Sequence, residues 1–173
     1  MSAARASSRA SRLALFIDNR YQRRGVPTRR SFTQWAELAM TIARAPRAAA
    51  AKARRHALPQ INIAIMGTRE ARALNRQFRG RDYATNVLSF PFEPMAGDAG
   101  GLIGDIVICP PVVAREAREQ GKPLRHHFTH LVIHGVLHLL GYDHEDDDDA
   151  RKMEKTERQL LESIGIPDPY AAD

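Results

Sequence analysis

The segment Phe128–His144 reads F-T-H-L-V-I-H-G-V-L-H-L-L-G-Y-D-H. Apart from His130, His134 and His138, its helical part is apolar around most of its circumference, a pattern that belongs in an interior and not on a surface. The pattern predicts a helix from about Leu124 to Leu140, buried at the centre of the fold. Gly141 has no Cβ, so it can take the left-handed conformation that ends a helix and turns the chain back.

His134 and His138 are four apart and project from one face about one turn apart. Two ring nitrogens at that separation can reach one ion at the roughly 2.0–2.1 Å that zinc requires. Beyond the turn at Gly141, His144 can add a third ligand. Three protein ligands leave one corner of a tetrahedral zinc open, as catalytic sites do. The spacing H-x3-H-x2-G-x2-H matches the metal-binding part of the extended zincin signature. That signature carries a glutamate after its first histidine as general base, and here the position is Gly135. The metal scaffold stands without the peptidase base. His130 shares the ligand face and could help bind metal or orient substrate, but it reads first as a hydrogen-bonded structural histidine. Asp143 is open to two roles, proton acceptor or partner that orients a ligand.

Working outward, 173 residues fit one domain with a substantial core. No apolar run approaches the roughly eighteen residues of a membrane span. The one cysteine, Cys109, excludes an intramolecular disulfide. Its setting, I-V-I-C, marks it as a small buried hydrophobe, which suits a reducing compartment. The net charge of +6 hides an asymmetry: residues 1–90 carry 18 Lys and Arg against 4 Asp and Glu, and residues 91–173 carry 8 against 16. A basic half of that size would attract polyanions, nucleic acid above all, and the competing reading is that many of these arginines belong to a floppy tail and a solvated helix face. Residues 1–12, rich in Ser, Ala and Arg without a clear apolar stripe, read as a disordered basic extension and not as a targeting segment.

Four strands are expected, at Leu13–Asp18, Ile61–Met66, Thr85–Phe92 and Leu102–Cys109, the third ending or lying on an edge because of Pro91. Besides the histidine helix, one helix capped by Ser31 should run through Trp35, Leu38, Ala39 and Ile42. Another, capped by Thr68, should turn Leu74 and Phe78 inward. A third starts at Pro110, and the last begins in the acidic run Asp146–Asp149, where acids oppose the positive helix end. Ala45–Pro59 reads as a helix tail and mobile loop without chemistry, and Glu93–Gly101 as a flexible turn. The sum is four strands and about five helices, a single α+β domain over residues 13–173.

The block H-G-V-L-H-L-L-G-Y-D-H, with F-R-G-R-D-Y-A-T-N-V-L-S-F-P-F and G-D-I-V-I-C before it and G-I-P-D-P-Y after it, closely resembles the YbeY family. These are bacterial endoribonucleases, also called rRNA maturation factors, and the resemblance runs from about Ile61 to Tyr170. It implies an α+β fold with a small mixed sheet and a site for one zinc ion at the end of the central helix, held by His134, His138 and His144. It also implies that Arg79, within F-R-G-R-D, is functionally required. Arg81 stands where the family usually has lysine, which keeps the charge but not the geometry. A guanidinium at position 79 is suited to grip a phosphate bidentately and to stabilise charge building on it.

The same resemblance implies a hydrolase that cuts single-stranded RNA in the cytoplasm, with roles in maturing the 3′ end of 16S rRNA and in late-stage 70S ribosome quality control. Ribosomal RNA, the small ribosomal subunit and ribosome-associated proteins are the partners it implies, without a membrane. Two other readings compete. One is a zinc hydrolase of peptides or small molecules, suggested by the zincin-like spacing and opposed by Gly135. The other is a non-catalytic ribosome assembly factor stabilised by zinc.

Overall fold

The alternation of Q-I-N-I-A-I over β2 (Gln60–Ile65) sets the two faces of the sheet, since successive strand side chains point to opposite sides. Ile61, Ile63 and Ile65 are buried on one face with Leu15, Ile106 and Ile108. Ala64 lies on the other with Leu88, Val107 and Met66. The structure, a computed structural model, describes residues 13–42, 58–93, 101–142 and 146–171. The expected basic extension over residues 1–12 and most of the Ala45–Pro59 segment lie outside those residues.

Around β2 the chain adds β1 (Ala14–Asn19), α1 (Arg29–Met40), α2 (Thr68–Arg79), β3 (Val87–Pro91), β4 (Leu102–Ile108), α3 (Pro110–Glu119), α4 (Leu124–Leu139) and α5 (Asp147–Glu162). The sheet order is β1-β2-β4-β3. The first two pairings are parallel and β3 is antiparallel to β4, so the sheet is mixed. Pro91 ends β3 on the edge, where a missing N–H costs no ladder bond. The architecture is the single small α+β domain expected from the sequence. No helix among the described residues is long and apolar enough to cross a membrane.

Helix α4 lies at the centre, in contact with α1, α3, α5, β3 and β4. Phe128, Val132, Ile133, Val136 and Leu137 are buried against the isoleucines of the sheet. Phe32, Trp35 and Ala36 of α1 pack in the same layer, with Phe32 edge-on to both Trp35 and Phe128. The central burial expected from the apolar circumference is thus realised.

The helix starts differ from expectation. Thr28, not Ser31, caps α1: its Oγ1 accepts the N–H of Ser31. Ser31 instead sits three residues inside, buried, with its hydroxyl on Arg125. Gly67, not Thr68, is the cap of α2, and Glu70 reaches back to its N–H. Phe78 does not turn inward. Ala71 and Asn75 are the buried residues of α2, and Phe78, in the last turn, is exposed while packing edge-on against Phe90.

Gly104 marks a β-bulge: Gln60 pairs with Leu102 but Ile61 with Gly104, leaving Ile103 as the extra residue. At φ +157°, a Cβ there would lie 2.4 Å from the carbonyl oxygen of Phe90 and 2.8 Å from Leu139 Cδ2. Gly104→Ala is expected to lower stability by roughly 1–3 kcal/mol, because β3 must give way. Urea unfolding checks this, and an unchanged midpoint would mean that the edge strand moves freely.

Candidate metal centre

His130, His134 and His138 occupy successive turns on the least buried side of α4. The Nε2 atoms of His134 and His138 are 3.2 Å apart. Two nitrogens bound tetrahedrally to zinc at ordinary bond lengths stand about 3.3 Å apart, so this pair fits one ion.

The other nitrogen of His134 is fixed from behind. Its Nδ1 lies 2.7 Å from Oε1 of Glu157, a residue of α5 with no exposed surface. Oε2 of Glu157 lies 3.0 Å from His130 Nε2 and accepts the hydroxyl of Tyr170. Burial by itself would push the Glu157 carboxyl up; the hydrogen bonds from His130 and His134, and then their charge, outweigh it and hold the group at about 2. An ionised carboxylate can only accept, so His134 carries its proton on Nδ1. In the neutral ring this leaves the Nε2 lone pair facing His138. For Tyr170, burial and then the bond to Glu157 raise the phenol well above its usual range.

His130, His134 and Glu157 have donor atoms within 4.8 Å of one another and could hold a metal ion. The hydrogen-bond pattern favours another division of labour. Both Glu157 oxygens are committed to N–H and O–H donors, and direct ligation would strip those bonds from a fully buried carboxylate. A carboxylate that grips the far nitrogen of a ligand histidine fixes its tautomer and orientation.

The helix ends as its glycine predicts. Gly141 has φ +88°, its N–H reaches the His138 carbonyl and the Tyr142 N–H that of Leu137, which is a Schellman termination. His144 and Asp143 follow immediately and lie outside the described residues. Gly135 also has a packing reason: a Cβ there would meet Ile106 at 3.1 Å and Ser89 Oγ at 3.2 Å. Position 135 points into the sheet, so the peptidase glutamate could not stand there as a base.

Arg79 sits in the last turn of α2, exposed, before Gly80 at φ +68°. No hydrogen bond or ion pair among the described residues joins it to the histidines. The following T-N segment is anchored to the histidine helix instead. Asn86 donates to Glu116 of α3, which in turn holds buried His127 of α4 at 2.9 Å. Burial opposes ionisation of Glu116, but the bonds from His127 and Asn86 prevail and lower its pKa. Cys109 is buried and its thiol raised by that burial, in keeping with a packing role.

Sequence reasoning missed Glu157 and Tyr170. A signal existed for the first: Met153, Leu160 and Leu161 form the buried stripe of α5, and Glu157 occupies the stripe position between them. A carboxylate on an apolar stripe demands a partner inside the fold.

The family model of Endoribonuclease YbeY matches residues 16–165. The chain belongs to the YbeY family. The match begins well upstream of Ile61, where the resemblance legible in the sequence starts. A protein named Endoribonuclease YbeY from Stenotrophomonas maltophilia is 49% identical over 167 residues, covering 94% of this chain and 96% of that one. One of the same name from Xanthomonas axonopodis pv. citri is 47% identical with the same coverage. A Thermotoga maritima protein with a determined solution structure shares the fold, with TM-score 0.51 and 24% identity over 92% of this chain and 99% of that chain.

Proposed function

We propose that this chain is a zinc-dependent, single-strand-specific endoribonuclease of the cytoplasm that matures the 3′ end of 16S rRNA and takes part in late-stage 70S quality control. One zinc ion is held by His134, His138 and His144. Ribosomal RNA and the small ribosomal subunit are its partners. The observation that carries this reading is the 3.2 Å approach of the two Nε2 atoms, with His134 fixed through its other nitrogen by buried Glu157. Family membership and the name Endoribonuclease YbeY that the relatives carry supply the substrate class.

Zinc in such a site supplies Lewis acidity toward a phosphoryl oxygen and lowers the pKa of a coordinated water toward neutrality. The residues of this chain do the rest. Glu157 keeps the His134 ring aimed, with Tyr170 and His130 sharing the carboxylate. Arg79 grips a phosphate and stabilises charge that develops on the scissile group. Gly135 speaks against peptide hydrolysis, because its position faces the sheet.

The test is metal content together with cleavage of single-stranded ribosomal RNA by wild type and Arg79→Ala in parallel. Wild type is expected to carry one zinc and cut; Arg79→Ala should keep the zinc and lose roughly 100-fold in rate. Normal cutting by a folded Arg79→Ala removes its role. Zinc lost from His138→Ala but retained by His130→Ala supports the proposed ligand set, and the reverse selects the His130–His134–Glu157 cluster. Failure of pure wild type to cut RNA, with normal binding to the small subunit, favours the assembly-factor reading.

A further inference from the structure

Four arginines of α2, at positions 69, 72, 76 and 79, fall within an arc of about 80° on an ideal helix. All four are exposed, and the buried residues Ala71 and Asn75 lie on another side. The one acid of the helix, Glu70, is turned back to the N–H of Gly67. Arg69, Arg76 and Arg79 form no ion pair among the described residues. Beside them lies a shallow concavity of about 520 Å³ lined by Arg69, Arg72, Arg76, Gln77 and Asp82.

The turn after the helix is locked onto it. Arg72 binds Asp82 through two bonds, of 2.9 and 2.7 Å, which neutralises the acid nearest the stripe. Buried Asn75 donates to the carbonyl of Tyr83 at 2.8 Å. Arg81 donates to the Tyr83 hydroxyl at 3.0 Å. Tyr83 as a residue stays 51% exposed. An aromatic ring presented by a rigid turn beside a row of cations is the combination that binds single strands: cations track phosphates and a ring stacks a base.

We propose that the outer face of α2 and the turn through Tyr83 form a track for single-stranded RNA, with Arg69 and Arg76 contacting phosphates and Tyr83 stacking one base. Arg72 is a structural latch for the turn. The track extends the RNA-cleaving reading above from the metal centre to a surface that captures the strand, and it rests on that reading for the identity of its ligand.

Binding of a short single-stranded RNA, measured against salt with metal-loaded full-length protein, tests it. Each phosphate contact contributes about 0.7 to the slope of log K against log salt for a single strand. Arg69→Ala with Arg76→Ala should therefore flatten the slope by about 1.4 and weaken binding at low salt, whereas Arg118→Ala on α3 leaves the slope unchanged. Tyr83→Ala should weaken binding about tenfold and Tyr83→Phe should restore it, because stacking needs the ring and not the hydroxyl. A slope equal to that of Arg118→Ala, or a Tyr83→Phe as weak as Tyr83→Ala, overturns the track. RNA that binds along this surface without being cut upholds the track and sinks the nuclease reading; RNA that neither binds nor is cut sinks both.

Discussion

Replacing Glu157 with alanine is expected to lower zinc affinity roughly ten- to a hundredfold and to destabilise the fold by on the order of 3 kcal/mol. The first effect follows from geometry. His134 is aimed by the bond from its Nδ1 to Glu157 Oε1, and without it the ring is free to turn away from His138. The second follows from desolvation, since His130, His134 and Tyr170 all lose the acceptor that satisfies them inside the protein. Glu157→Gln keeps the shape, but its amide NH2 must oppose one of these donors, so part of both losses remains. Competition with a zinc chelator and urea unfolding measure the two effects. Undiminished zinc affinity in Glu157→Ala would show that the histidines hold their orientation without the carboxylate.

The same residue sets a pH dependence of the metal-free protein. The folded-state pKa of Glu157 is about 2 against an ordinary value of 4.5, so the unfolded chain binds the proton more readily. Its contribution is fully present above about pH 4.5 and is lost as the pH falls through about 2. Acid unfolding of wild type against Glu157→Gln checks the sign, because the variant lacks the titrating group.

Gly135→Glu, which would complete the zincin signature, is expected to cost roughly 3–5 kcal/mol and to yield no peptidase. The added Cβ meets Ile106 and Ser89 at the contact between α4 and the sheet. The atoms that meet this Cβ belong to Ile106 and Ser89 and carry no positive charge, and an unpaired charge in an interior is penalised on that scale. Thermal unfolding and a generic peptide assay measure the outcome. A variant as stable as wild type that hydrolyses peptides would mean that position 135 reaches the ligand face after all.

The parts of this protein legible in the sequence were those set by local spacing. The apolar circumference of Phe128–Leu140 announced a central helix, and Gly141 its termination, because both depend on neighbours a few residues away. The alternation in β2 and Pro91 at the sheet edge were legible for the same reason. Caps were less so. Thr28 and Gly67 won over Ser31 and Thr68, since several residues could begin each helix and Ser31 is used by Arg125 from α4.

The inward turn expected of Phe78 failed on a tertiary fact. Phe78 lies on the same side of α2 as Ala71 and Asn75, but in the last turn, where its ring meets only the edge strand β3 through Phe90 and stays exposed.

By itself the sequence determined the α+β domain, its central helix and the candidate pair His134 and His138, because a helix repeats every few residues and a motif four apart carries its own geometry. Only the tertiary structure decided that Glu157, distant in the chain, holds His134 from behind, that Tyr170 completes the grip and that Gly135 belongs to the sheet contact. Those relations join separate elements through packing, and no local pattern of residues encodes a distance across the fold.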